Sequence, residues 1–253
     1  MIVYGRNPVR EAILGPRAVH RVWATANAGR EPWLADVSWR KATVEDLARR
    51  CGSPDHQGVC AEVSAFAYAD ASALLRSPGH LIVALDQVQD PQNLGAVCRT
   101  AECAGAAGIV IPDRRSAEVT PAVCKASAGA VEHLAIARVR NLADFLHDAK
   151  GAGMWCYGAQ STSPVGYEEP EYGERSVLVL GSEGRGLRPR VAAACDLLVS
   201  IPLRGRIESL SVSAAAAVLM YAATRPRPAA GVGARTRAEA ARHCSRRSAR
   251  TST

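Results

Sequence analysis

The 253-residue chain has little of what several function classes require. Two Phe, four Trp and six Tyr make up only 5% of it, too few for a surface that stacks a run of unpaired bases. Its eight cysteines, at 51, 60, 98, 103, 124, 156, 195 and 244, include no C-x-x-C pair. Zinc spacing is therefore absent and no metal is expected, and a secreted disulfide framework would normally occupy a shorter chain. No uninterrupted apolar run reaches the roughly 20 residues needed to span a bilayer, so no membrane partner is expected. The opening MIVYGRNPVREAIL lacks the apolar stretch of an export signal. Reduced thiols and a cytoplasmic location follow as expectations. No Gly-x-Gly-x-x-Gly succeeds a first strand and no Gly-Lys-Ser/Thr closes a glycine loop, which excludes an ordinary dinucleotide fold and a phosphate-binding Walker loop.

What is present is small and apolar. Hydrophobic residues make up 48% of the chain, with Ala, Val, Leu and Gly dominant, which suits tight packing of helices on a sheet. The formal charge is +7, yet residues 226–253 hold seven Arg and one Glu, or +6, leaving about +1 for residues 1–225. The basicity is thus a property of the tail. It supports contact with a polyanion without locating that contact. Arginines cluster in the body at 114–115, at 185, 188 and 190, and at 204 and 206, either as solvated charge or as phosphate contacts.

Patterning divides the chain. Residues 1–68 form a small α/β unit: a helix at Val9–Leu14, a strand at Val19–Trp23, a helix at Val44–Arg50 behind an N-capping Thr43, and a turn at His56–Gly58 entering another strand. Residues 69–79, ending Ser77-Pro78-Gly79, look like a linker. From 80 to 225 the strands become apolar on consecutive positions and alternate with helices. Strands are expected at His80–Leu85, Gly108–Pro112, Trp155–Ala159, Val177–Leu180 and Leu197–Ile201. Helices are expected at Leu94–Ala104, Val119–Ala128, Leu142–Lys150, Pro189–Ala194 and Val212–Ala223. Continuous apolar strands are buried on both faces, hence a parallel sheet covered by helices. Residues 226–253 read as a basic disordered tail, with a transient helix at 234–244.

Three segments could carry chemistry. In Asp90-Pro91-Gln92-Asn93-Leu94-Gly95, followed by Arg99, a strand end passes into a helix beginning near Asn93–Gly95. Asn93 and Arg99 share no helix face unless Asn93 lies in the turn before the helix, because six residues rotate by about 600°. Taken alone, they could be a capping Asn and a solvated Arg. In Leu180-Gly181-Ser182-Glu183-Gly184-Arg185-Gly186, three glycines in six residues let a ligand approach the backbone, and Glu183 either favours the following helix start or faces a site. In Ile201-Pro202, Arg204 and Ser209-Leu210-Ser211-Val212-Ser213, a strand end and an arginine-bearing loop lead to a serine-rich helix start, which could be simple capping.

In this order and spacing the segments resemble the three motifs of the SpoU/TrmH family of RNA 2′-O-ribose methyltransferases, in the SPOUT superfamily. The likeness covers most of 80–223. Tyr4-Gly5-Arg6-Asn7-Pro8-Val9 and His56-Gln57-Gly58 also resemble the small RNA-binding domain that many members have. One departure is Ser211, where the family usually has Asn. The resemblance implies a SPOUT-type parallel sheet with a C-terminal deep trefoil knot, a small N-terminal α/β domain, a homodimer, and S-adenosyl-L-methionine as cofactor. By residue match the cofactor rests against backbone around Ala159, Leu180, Gly181, Ile201, Pro202 and Leu210. Arg99 is the implied activating residue, with Asn93, Glu183, Ser209 and Ser211 positioning the ribose, and Arg6, Arg114 and Arg204 as RNA phosphate contacts. A guanosine in 23S rRNA is the first-choice substrate. The alternatives are a tRNA ribose and a non-catalytic RNA-binding ribosome-assembly factor on the same fold.

Overall fold

Two sheets organise the computed structural model, which describes residues 1–207 and 209–225. The expected tail and its helix lie outside the described residues. In the N-terminal unit, β1 (Ile2–Tyr4), α1 (Arg6–Leu14), β2 (Val19–Ala24), β3 (Trp39–Lys41), α2 (Val44–Cys51) and β4 (Val59–Val63) build a sheet of order β1-β4-β2-β3. Thr43 caps α2, its hydroxyl accepting from the Asp46 amide at 3.1 Å, and Leu47 seals that helix onto Trp23 and Cys60. The two three-residue strands, β1 and β3, go unannounced by the sequence, since three residues cannot display a period of two.

The linker expected at 69–79 contains α3 (Ala71–Arg76). Asp70 caps it by accepting from the Ser72 amide, and Leu74 is buried against Gly108, where an added Cβ would lie 2.7 Å from the leucine side chain. There follow β5 (Leu81–Asp86), α4 (Pro91–Cys103), β6 (Gly108–Pro112), α5 (Pro121–Ala126), β7 (Ala135–Val139), α6 (Leu142–Gly151), β8 (Trp155–Ala159), β9 (Ser176–Gly181), α7 (Pro189–Ala194), β10 (Leu197–Val199) and α8 (Val212–Ala223). The order is β10-β8-β9-β5-β6-β7, with every pairing parallel. Edge strand β7 escapes patterning because Ala-Ile-Ala-Arg-Val has neither a clean alternation nor a full apolar run.

β5 and β6 are buried along their whole length. Leu81, Val83 and Leu85 join a core with α4, α5 and α8, while Ile82 and Ala84 join another with α6 and α7. The chain leaves β5 for β6 on one side, and β9 lies on the other. Such a reversal opens a crevice beyond the carboxyl ends of the two strands, the place where open parallel sheets bind ligands. No helix among the described residues is long and apolar enough to cross a membrane.

Candidate active site

The crevice is built from the ends of β5 and β9. β5 closes on Asp86, whose side chain has no exposed surface, in register with Gly181 at the end of β9. A Cβ on Gly181 would fall 2.1 Å from the backbone of Gly186. The loop therefore doubles back on itself, with the Gly186 amide donating to the Ser182 carbonyl at 2.9 Å and Gly184 and Gly186 at φ +74° and +65°. Both need glycine's freedom in the left-handed region. The far end of the loop is tied to the near end by Arg188. Its backbone N–H donates to Asp86 Oδ2 at 2.9 Å, and its guanidinium donates to Oδ1 from Nε at 2.8 Å and from Nη2 at 2.7 Å.

Glu183 stands at the tip of this closed loop, and its carboxylate joins the three segments. Oε1 accepts from Asn93 Nδ2 at 3.1 Å and from the Val212 amide at 3.3 Å. The Ser213 hydroxyl donates to Asn93 Oδ1 at 3.1 Å, so both ends of that amide are held. A carboxylate at the first turn of α8 is also favourably placed against the helix dipole. Asn93 is inside α4 and not in a preceding turn. Asp90 accepts from the amides of Gln92 and Asn93, and Pro91 takes the first helical position. The helix therefore starts at the Asp90-Pro91 step, ahead of the start expected near Asn93–Gly95.

That start fixes where Arg99 points. Six positions beyond Asn93 it faces away from the Glu183 network and lines a groove with Asn7 and Arg10 of α1. One chain thus brings together Asn93, Glu183 and Ser211 and leaves Arg99 apart. Ser213, Asp86 and the brace formed by Arg188 are site residues that sequence reasoning does not single out. An aspartate closing a wholly apolar strand is the available signal for Asp86. Ser209 and Leu210 are exposed on the loop before α8. Ala159, Leu180 and Gly181 end the adjacent strands β8 and β9, and Val199 of β10 pairs with Ala159, so Ile201 and Pro202 leave from the same edge. Arg6 is engaged by Glu31 at 2.7 Å, while Arg114 and Arg204 are exposed. The segment leaving β10 is gripped by the loop after β8: the Ser200 amide donates to the Val165 carbonyl at 2.9 Å and the Tyr167 amide to the Ser200 carbonyl at 2.8 Å.

Nearby thiols take no part. Burial raises the Cys98 thiol on α4 well above its usual range and pushes Cys124 on α5 up to about 11, so neither is a thiolate nucleophile at neutral pH. Among the described residues no group of three or more His, Cys, Asp or Glu could hold a metal.

Ser211 is the N-cap of α8, its hydroxyl accepting from the Ala214 amide at 3.2 Å and lying 3.1 Å from the Ser213 hydroxyl. Serine and asparagine are near-equal caps, so the departure from the family pattern leaves the helix start intact. Ser211→Asn is expected to change stability by less than about 0.5 kcal/mol, whereas Ser211→Ala costs about 1 kcal/mol. Urea unfolding of both variants measures the difference, and equal losses would contradict the capping role.

Sheet order, the doubled glycine loop and a carboxylate linking three loops at the switch point define the class, an open parallel α/β fold with a ligand crevice at its switch point and a small appended unit. Residues 80–221 match the SpoU rRNA Methylase family, and residues 2–69 match the domain described as RNA 2'-O ribose methyltransferase substrate binding. YacO of Bacillus subtilis (strain 168), whose name places it in the TrmH family of tRNA/rRNA methyltransferases, is 36% identical over 90% of this chain and 97% of its own. A Porphyromonas gingivalis structure assigned to the TrmH family of RNA methyltransferases superposes with a TM-score of 0.72 at 30% identity, over 88% of each chain. The SpoU methyltransferase AviRb of Streptomyces viridochromogenes, solved in complex with AdoMet, shares the fold with a TM-score of 0.73 at 23% identity, over 89% of each chain. The chain belongs to the SpoU rRNA methylase family.

Proposed function

We propose that the protein transfers a methyl group from S-adenosylmethionine to the 2′-hydroxyl of a ribose in RNA, with a guanosine of 23S rRNA as the first candidate and the cytoplasm as its place of action. In this reading residues 1–68 hold the RNA, 69–79 connect, and 80–225 methylate. The observation that carries it is the Glu183 carboxylate, held by Asn93 and the Val212 amide at the mouth of the β5–β9 crevice.

The residues present fit the cofactor. The carboxyl ends of β10, β8 and β9 form one edge, and the glycine loop, folded back against Gly181 with no side chain between, sets its backbone beside that edge. Leu203, Ile207 and Leu210 are exposed on the adjoining loop at 39%, 75% and 42%, an apolar lip of the kind that covers a ligand or a partner. When bound, the cofactor supplies a sulfonium methyl that needs no further activation. The protein's task is alignment, which can supply several kcal/mol. The amide and carboxylate of Asn93 and Glu183 present fixed acceptors and donors to a ribose. The Arg99 guanidinium offers a planar fork of N–H donors and no acceptor for a proton. It therefore serves by donating hydrogen bonds to the developing alkoxide or to the phosphate beside it.

A second copy of the chain belongs to the reading, because within one chain Arg99 faces away from Asn93 and Glu183. The apolar α8 offers Ala214, Val218 and Tyr221 along one side, with Tyr221 54% exposed. Threading of the segment after β10 as a trefoil knot accords with its backbone bonds to the loop at 160–172.

The test is transfer of tritiated methyl from S-adenosylmethionine to total RNA from cells lacking the gene. Label is expected in ribosomal RNA, in dinucleotides that resist alkali because the 2′-oxygen is blocked. Label in alkali-sensitive products would overturn ribose methylation, and label confined to tRNA would overturn the ribosomal substrate. No label in any RNA, with RNA binding intact, would identify a non-catalytic factor.

A further inference from the structure

A groove of about 320 Å³ separates α1 of the N-terminal unit from α4 of the larger one. From α1 come Asn7, Arg10 and Glu11, at i, i+3 and i+4, and from α4 come Arg99, Glu102 and Cys103 at the same spacing. Each triplet shares one helix face, so two helices confront each other across a gap within the size range of ligand pockets.

Its walls are fixed. Arg17 of the N-terminal unit forms a buried ion pair with Glu132, their side chains only 7% and 2% exposed. The Glu11 carboxylate meets His133 Nε2 at 2.8 Å. A Cβ on Gly129 would lie 2.6 Å from Glu11 Cβ, and one on Gly15 would lie 2.9 Å from Glu132 Cβ, so α1 is pressed onto the turn at 129–132 with no space for a side chain. Ala128, on the groove floor, holds a left-handed φ of +53° in a helix-ending position that favours glycine. Strain of this kind accumulates where ligands bind.

The charges on the walls are not balanced by one another. Glu11 is engaged by His133, whereas Arg10 and Arg99 have no ion pair among the described residues. Two guanidiniums therefore face the gap from opposite sides, with Glu102 as the one lining carboxylate that no ion pair engages. Guanidinium forks suit phosphate oxygens bidentately, and Asn7 and Glu102 add hydrogen-bonding groups beside them. We propose that this groove holds the single-stranded RNA beside the target ribose, with Arg10 and Arg99 gripping one phosphodiester from opposite walls. The inference rests on the RNA methylation reading and assigns to the N-terminal unit a direct part in presenting the ribose.

The test uses the full chain with Arg10→Ala, Arg10→Lys and, as a control distant from the groove, Arg76→Ala. Binding of a short fluorescein-labelled single-stranded RNA is followed by anisotropy over a range of salt. Arg10→Ala is expected to reduce the slope of log K against log [salt] by about 0.7, the value for one phosphate contact on a single strand. It should also raise KM for RNA about tenfold, the loss of one charge-assisted contact, with S-adenosylmethionine affinity unchanged. Arg10→Lys should restore the slope and only part of KM, and Arg76→Ala should match the parent protein. Parental slope and KM in Arg10→Ala would overturn the proposal. A parent protein that binds RNA but methylates none would overturn the methyltransferase reading instead, and the salt slopes would still decide the groove.

Discussion

Arg99→Ala is expected to lower kcat on the order of a thousandfold while leaving S-adenosylmethionine affinity within about a factor of two. Removal of one preorganised donor to a developing oxyanion has an effect of about that size. The folded chain offers no other reason for the variant to fail. Arg99 is exposed, has no ion pair among the described residues and sits within α4, where alanine is the best helix former. Its unfolding midpoint should therefore match that of the parent. The site network around Glu183 is on another face of the helix and should be undisturbed. Arg99→Lys separates charge from geometry: it keeps the positive charge and loses the planar fork, so an activity between those of the parent and Arg99→Ala is expected. Calorimetry showing lost cofactor affinity in Arg99→Ala would contradict the assigned role.

The contrast between Asn93 and Arg99 shows how far a sequence can be read. Both residues belong to one motif, and their spacing alone says that they diverge on a helix. Deciding it required the helix start, and the sequence does contain that signal: Asp90 followed by Pro91 is an N-cap and a first helical position. The helices α7 and α8 and strand β8 were legible to the residue because apolar periodicity and small-residue runs are local properties. β1 and β3 were not, because three residues show no period, nor was β7, whose Ala-Ile-Ala-Arg-Val has no clear pattern, and all three pair with a neighbouring strand. The helix inside 69–79 was hidden by its length, since six residues before Ser77-Pro78-Gly79 show little more than one turn and a half of periodicity, although Asp70 caps it. Contacts across long stretches of chain are illegible in principle. Asp86 and Arg188 are 102 positions apart, and neither residue alone announces that it closes the glycine loop. The groove between α1 and α4 depends in the same way on Arg17 finding Glu132.

Arg188→Ala is the second variant for which a large effect is expected, and the reason is an asymmetry of burial. The Asp86 side chain is fully buried while that of Arg188 is 44% exposed. Removing the arginine side chain leaves a carboxylate in the interior with only the backbone N–H of residue 188 as donor. Loss of one partner from a buried pair costs about 3 kcal/mol or more, which for a chain of this size lowers the midpoint of thermal unfolding by roughly 6–12 °C. Asp86→Asn is milder, because the arginine can turn toward water and the amide still offers one acceptor, so about 1–2 kcal/mol is expected. The double variant should recover part of what Arg188→Ala loses, since a buried neutral amide needs no counter-charge. Function should follow the loop. With its end released, the tip that carries Glu183 shifts relative to Asn93, and KM for S-adenosylmethionine should rise more than kcat falls. A cost below about 1 kcal/mol for Arg188→Ala would mean that the guanidinium is not what keeps the Asp86 charge stable in the interior. Rescue by Asp86→Asn separates the two roles of the pair: stability returns because the buried charge is gone, but the tie that closes the loop is still missing, so cofactor affinity should not return with it.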